Sequence, residues 1–135
     1  MAVKTIHAVR EKAQARPAPE KVHTGIPGLD ELMDGGFPKG SLAVVSGDPG
    51  SGKTIFCLEY LYYGAKMYNE PGLFISLEED VQELVDMSSY FGWDMKELIN
   101  SNMLEIEAIE LYDFDKLKNT IELLTEKLQA KRVVI

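Results

Sequence analysis

Eight consecutive residues, Gly47-Asp48-Pro49-Gly50-Ser51-Gly52-Lys53-Thr54, combine three glycines with an ammonium and a hydroxyl. A glycine, four residues, then Gly-Lys-Thr is the spacing of a loop that cradles nucleotide phosphates. Each residue type has a task in that chemistry. Successive backbone N–H groups must turn inward on a polyanion, and a Cβ at Gly47, Gly50 or Gly52 would obstruct those turns. Lys53 brings a mobile cation to the β- and γ-phosphates, which makes it a candidate for catalysis as well as binding. The Thr54 hydroxyl is an oxygen ligand suited to Mg²⁺. Asp48, Pro49 and Ser51 complete the candidate binding loop.

Such a loop works between a strand and a helix. Leu42-Ala43-Val44-Val45, inside the run 41–46, is apolar without alternation. That predicts a strand buried on both faces, as in parallel sheets covered by helices. Residues 54–67 read as the helix that follows, with its N-terminal dipole and unpaired amides facing the phosphates. Ile55, Phe56, Leu58, Leu61, Tyr62, Ala65 and Met67 predict deep packing of this helix. Its tyrosines are expected to pack rather than reach a nucleobase, and Cys57 to be a packed, unreactive thiol.

Downstream, Leu73-Phe74-Ile75-Ser76-Leu77 reads as a second buried strand. Asp80-Val81-Gln82-Glu83 has capping-box spacing and opens a helix to about Tyr90, with Gly92 as its stop. Asp94-Met95-Lys96-Glu97 opens a shorter one. Leu104-Glu105-Ile106-Glu107-Ala108 alternates, which predicts a strand with one exposed face at or near a sheet edge. Phe114, Leu117, Ile121, Leu124 and Leu128 recur at spacings of three and four, a helical stripe facing the core. Val133-Val134-Ile135 begins another buried strand. Upstream, 27–33 reads as a short helix before Gly35-Gly36. Strand–helix alternation of this kind gives an α/β fold, a parallel sheet flanked by helices.

A chain of 135 residues is one domain or part of one. Its net charge of −8 is uneven. Residues 1–23 hold Lys4, Arg10, Lys12, Arg16 and Lys21 against Glu11 and Glu20, a balance of +3, so the remainder carries −11. The acidic body argues against a broad nucleic-acid surface. The basic stretch is expected to be a solvated leader, extended at Arg16-Pro17-Ala18-Pro19, with a domain boundary near His23. Its contact with nucleic acid or an acidic partner stays open. His7 and His23 have no metal-ligand spacing around them. No apolar run reaches the length of a membrane span, and the N-terminus has no signal-peptide core. The lone Cys57 can form no internal disulfide, which suits a reducing cytoplasm.

Thr24-Gly25-Ile26-Pro27-Gly28-Leu29-Asp30-Glu31-Leu32, then Gly35-Gly36-Phe37-Pro38-Lys39-Gly40, then the phosphate loop, resembles the KaiC and RadA branch of the RecA-like P-loop ATPases. The likeness runs from about Thr24 to Ile135. It implies a RecA-like sheet, ATP as the nucleotide, and sites at the subunit interfaces of rings or filaments, hence a homo-oligomer with a regulatory output. It also implies a water-polarising glutamate at the end of the strand after the P-loop helix, where Glu78-Glu79 stand. A carboxylate there can orient water in line with the γ-phosphate; the same side chains could instead merely start a helix and favour its dipole. No choice between the two glutamates follows. In the family the second metal-site carboxylate, the Walker B Asp, ends the strand that Val133-Val134-Ile135 begins. The sequence ends where it would follow. Absent too is the strand that in RecA-like folds lies between the P-loop strand and the Walker B strand. Residues 24–135 are therefore expected to be the N-terminal portion of such a domain, with a sheet incomplete at its C-terminal side.

Other functions stay in view: a nucleotide-binding module without turnover, the core of a DNA-dependent recombinase or helicase, and a small-molecule phosphotransferase. The opening motif argues against the last.

Overall fold

The computed structural model describes residues 17–110 and 112–135. Five positions with no exposed member make β3 (Gly72–Ser76) the centre of the fold. On one side it pairs in parallel with β4 (Leu104–Ala108), Phe74 opposite Ile106. On the other it pairs in parallel with β5 (Arg132–Val134), Phe74 opposite Val134. Parallel neighbours need crossover connections. Two short helices, α3 (Val81–Ser89) and α4 (Met95–Asn100), supply the first and α5 (Phe114–Leu128) the second, while α2 (Lys53–Tyr68) precedes β3.

Side chains alternate between the faces of a strand. Phe74 joins Leu58, Leu61, Leu84, Trp93, Leu98 and Ile106 in one apolar cluster, so α2, α3 and α4 cover that face. Leu73 and Ile75 join Ile109 and Leu117, with Ile121 and Leu124 packed on them, so α5 covers the other. The result is a parallel sheet between helical layers. β4 lies at one edge, in keeping with the alternation of its sequence, and among the described residues β5 lies at the other. Asp80 forms a full capping box with Glu83 at the start of α3. Asp94 and Asp113 cap α4 and α5 by accepting from Glu97 and Lys116 amides. The tyrosines of α2 pack as expected: Tyr62 stacks on Trp93, and Tyr60 lies beneath a guanidinium.

Several expectations are corrected. Val133-Val134-Ile135 is not buried on both faces: Val133 and Ile135 are 41% and 64% exposed, because among the described residues no strand pairs beyond β5, and Met67 near the end of α2 is 59% exposed rather than deeply packed. Residues 41–46 form no strand, and Leu42 and Val44 are 93% and 84% exposed. A strand exists through its ladder, and β5 pairs only with β3; among the described residues no strand lies on its far side to carry 41–46. Phe114 leaves the stripe of α5 and is 77% exposed. As the first residue of the helix it belongs to neither apolar cluster, and Leu117 is the first stripe member to reach the sheet.

The N-terminal part forms a strap. β1 (Lys21–Val22) pairs antiparallel with β2 (Phe37–Pro38), and the one-turn helix α1 (Leu29–Leu32) lies between them. Pairing thus begins at Lys21, ahead of the boundary drawn near His23. Residues 1–16, with most of the basic leader and His7, lie outside the described residues. Asp30 closes the strap by accepting from the Thr24 amide at 2.7 Å, the Thr24 hydroxyl at 2.8 Å and the Gly25 amide at 3.1 Å. Burial alone would raise the Asp30 carboxyl; the Thr24 and Gly25 bonds and the nearby His23 outweigh it and hold the group below its ordinary range.

Arg132, the first residue of β5, locks the strap to the sheet. Its side chain is fully buried and its Nε donates to Glu70 Oε2 at 2.7 Å. Its two terminal nitrogens donate to the carbonyls of His23, Thr24 and Tyr60. The guanidinium carbon stands 4.4 Å from the centre of the Tyr60 ring. Gly64 of α2 gives it room: a Cβ there would fall 2.4 Å from Arg132 Nε.

Candidate nucleotide-binding site

The loop 47–52 runs into α2 with the backbone its glycines foretold. Gly50 has φ +76° and Gly52, which caps the helix, φ +93°, a region that L side chains rarely adopt. Gly47 has no such backbone; a Cβ there would meet only the side chain of the exposed Ser51, with its Oγ at 2.5 Å. The turn is tied by the Ser51 amide to the Asp48 carbonyl at 3.1 Å. All of 47–51 is exposed, while Gly52, Lys53 and Thr54 are half-buried. The sixteen-residue α2 directs its N-terminal amides and dipole out through this loop.

Lys53 Nζ donates to the carbonyls of Gly47 at 2.9 Å and Asp48 at 3.1 Å, which keeps its cation inside the turn. Thr54 Oγ1 donates to Glu79 Oε1 at 3.1 Å, across 25 residues of sequence. That bond joins the start of the P-loop helix to the end of β3. Of the two glutamates offered by the sequence, Glu79 is half-buried and engaged, and Glu78 is exposed. Sequence reasoning missed Ser76. This residue is 2% exposed, and its hydroxyl donates to the Glu79 carbonyl at 2.6 Å, with Glu79 Oε2 a further 3.4 Å contact. The available signal was a lone hydroxyl inside an apolar strand, two residues before the acidic pair. Cys57 lies in the same helix, and burial pushes its thiol up, away from reactivity.

These residues fit a magnesium nucleotide. The loop is a cradle whose turns require glycine, with a cation inside it and a helix N-terminus behind it. The hydroxyl of Thr54 is a hard oxygen donor of the kind Mg²⁺ prefers, and the Glu79 carboxylate accepts its proton. Among the described residues no cluster of three or more His, Cys, Asp or Glu side chains gathers as a metal site.

The family model described as "ATPase: KaiC" matches residues 22–135. The chain belongs to the KaiC ATPase family. The circadian clock oscillator protein KaiC of a Prochlorococcus marinus strain is 36% identical over 126 residues, 86% of this chain and 25% of that protein. A UPF0273 protein of Pyrococcus horikoshii is 36% identical over 132 residues, 85% of this chain and 53% of its own length. The crystal structure of a KaiC-like protein from Pyrococcus horikoshii superposes with a TM-score of 0.83 at 36% identity, covering 87% of this chain and 53% of that one. The chain thus spans between a quarter and about half the length of these relatives. The likeness establishes the RecA-like α/β fold and a nucleotide-binding architecture of this family. Among the described residues no helix is long and apolar enough to cross a membrane.

Proposed function

We propose that this chain binds Mg-ATP through residues 47–54 and, within an assembly of copies in the intact protein, hydrolyses it to drive conformational change. The observation that carries this is the bond from Thr54 to Glu79 beside a glycine-shaped loop at a helix N-terminus. The backbone amides of 47–54 would hold the phosphates, with Lys53 moving from its loop carbonyls onto the β- and γ-oxygens. The Thr54 hydroxyl would be a ligand of Mg²⁺, which when bound neutralises charge on the phosphoryl oxygens. A carboxylate of the Glu78–Glu79 pair would orient the attacking water in line with the γ-phosphate. ATP is favoured over other nucleotides by membership of the family. The assembly as a ring or filament and the cytoplasmic setting are part of the same proposal.

The test is a thermal melt of the 135-residue chain titrated with Mg-ATP, with Lys53→Ala in parallel. A ligand that binds only the folded state stabilises it by about 2.7 kcal/mol at a hundredfold excess over Kd. A melting temperature that rises with Mg-ATP in the parent and rises less in the variant is expected. Equal curves for both would overturn the assignment. Loss of phosphate release in a Glu78→Gln, Glu79→Gln double variant separates turnover from binding alone.

A further inference from the structure

Three groups, from β3, the turn that follows it and α2, meet behind the phosphate loop: the Ser76 hydroxyl, the Glu79 carboxylate and the Thr54 hydroxyl. We infer that Ser76 and Glu79 are positioning residues that present the oxygen of Thr54 to a divalent cation, leaving Glu78 as the carboxylate that faces water. The inference rests on the proposed function and deepens it, because it gives the two adjacent glutamates different tasks.

A hydroxyl has one proton and two lone pairs. Glu79 Oε1, 3.1 Å from Thr54 Oγ1, takes the proton. The lone pairs of Thr54 are then turned away from Glu79, and an oxygen lone pair is what a hard cation needs. Glu79 can do this only if its own backbone is fixed. Ser76 fixes it: the hydroxyl is buried at the end of β3 and donates to the Glu79 carbonyl at 2.6 Å. A serine in a fully buried strand costs desolvation unless it is bonded, and this one spends its bond on the residue that holds Thr54. Glu78, one residue earlier, is exposed and stands outside this chain of contacts. Partners that orient a metal ligand are worth about 10- to 100-fold in metal affinity.

The measurement is the melting temperature with ATP in chelator, and then with ATP and increasing Mg²⁺. The parent is expected to show an ATP shift and a further magnesium increment. Glu79→Ala and Ser76→Ala should keep the shift in chelator while raising the Mg²⁺ concentration at half-increment at least tenfold. Ser76→Thr should restore the parent value. Glu78→Ala should keep the magnesium half-point and lose phosphate release. If Ser76→Ala does not fold, Glu79→Ala carries the test, because its backbone carbonyl still accepts from Ser76. Parent-like magnesium half-points in both alanine variants overturn the inference while leaving ATP binding intact. A parent whose melt ignores ATP altogether overturns the proposed function, and the inference with it.

Discussion

At the scale of single residues, three side chains carry most of what can be tested. Lys53 supplies charge-assisted hydrogen bonds, so Lys53→Ala should weaken Mg-ATP binding by at least about 1.5–3 kcal/mol, roughly tenfold or more, measured by calorimetry. Asp30 sets an acid limit on the strap. A carboxyl that is harder to protonate folded than unfolded contributes its stability above the unfolded value, and that contribution is lost as pH falls through the folded one. Asp30 is shifted in this direction. Urea stability should therefore drop as pH falls below about 4, and Asp30→Asn should be less stable at neutral pH with a shallower acid decline. Arg132→Met should lower the unfolding free energy by about 3 kcal/mol, because it strands Glu70 and three carbonyls without their donor. Unchanged urea midpoints would show that water replaces the guanidinium.

At the scale of elements, what was legible in the sequence was what is decided locally. The Asp80 and Asp94 caps involve partners three residues away, and both were readable from spacing alone. The P-loop turn was readable because only glycine suits the backbone at Gly50 and Gly52. Residues 41–46 misled because apolarity reports burial only when a neighbouring strand exists to receive the ladder. Arg132 was missed for a related reason: it bonds to groups 62 to 109 positions away, and spacing cannot show that. Ser76 was missed although its partner Glu79 is only three residues on, because an apolar strand was read for its burial and not for its one hydroxyl. The glutamate pair was found by family likeness, while the difference between its members needed coordinates. Helix α2 gives a prediction whose sign runs against propensity. In an exposed helix interior Gly→Ala gains about 1 kcal/mol. At Gly64 the new methyl would meet the Arg132 side chain at 2.4–2.7 Å. Gly64→Ala should instead destabilise by about 1–3 kcal/mol in urea titrations. A gain in stability would mean that the guanidinium can move aside.

At the scale of the molecule, stability is graded from β3 outward. β3 is paired on both sides and covered on both faces, while 41–46 has neither ladder nor cover. In hydrogen exchange the amides of 73–75 should be among the slowest in the chain and those of 42–45 among the fastest. Comparable protection of the two segments would contradict the arrangement. The bond from Arg132 to His23 also bears on how the protein is made. Translation delivers the strap first and its lock 109 positions later. Throughout that interval the opening motif is attached to the ribosome with no guanidinium to hold it, and only local turns such as the Asp30 bracket can order it. Contacts of such long range close late and slowly. The nascent strap is therefore the stretch a chaperone or protease would meet open, and a slowly translated codon ahead of Arg132 would lengthen the exposure.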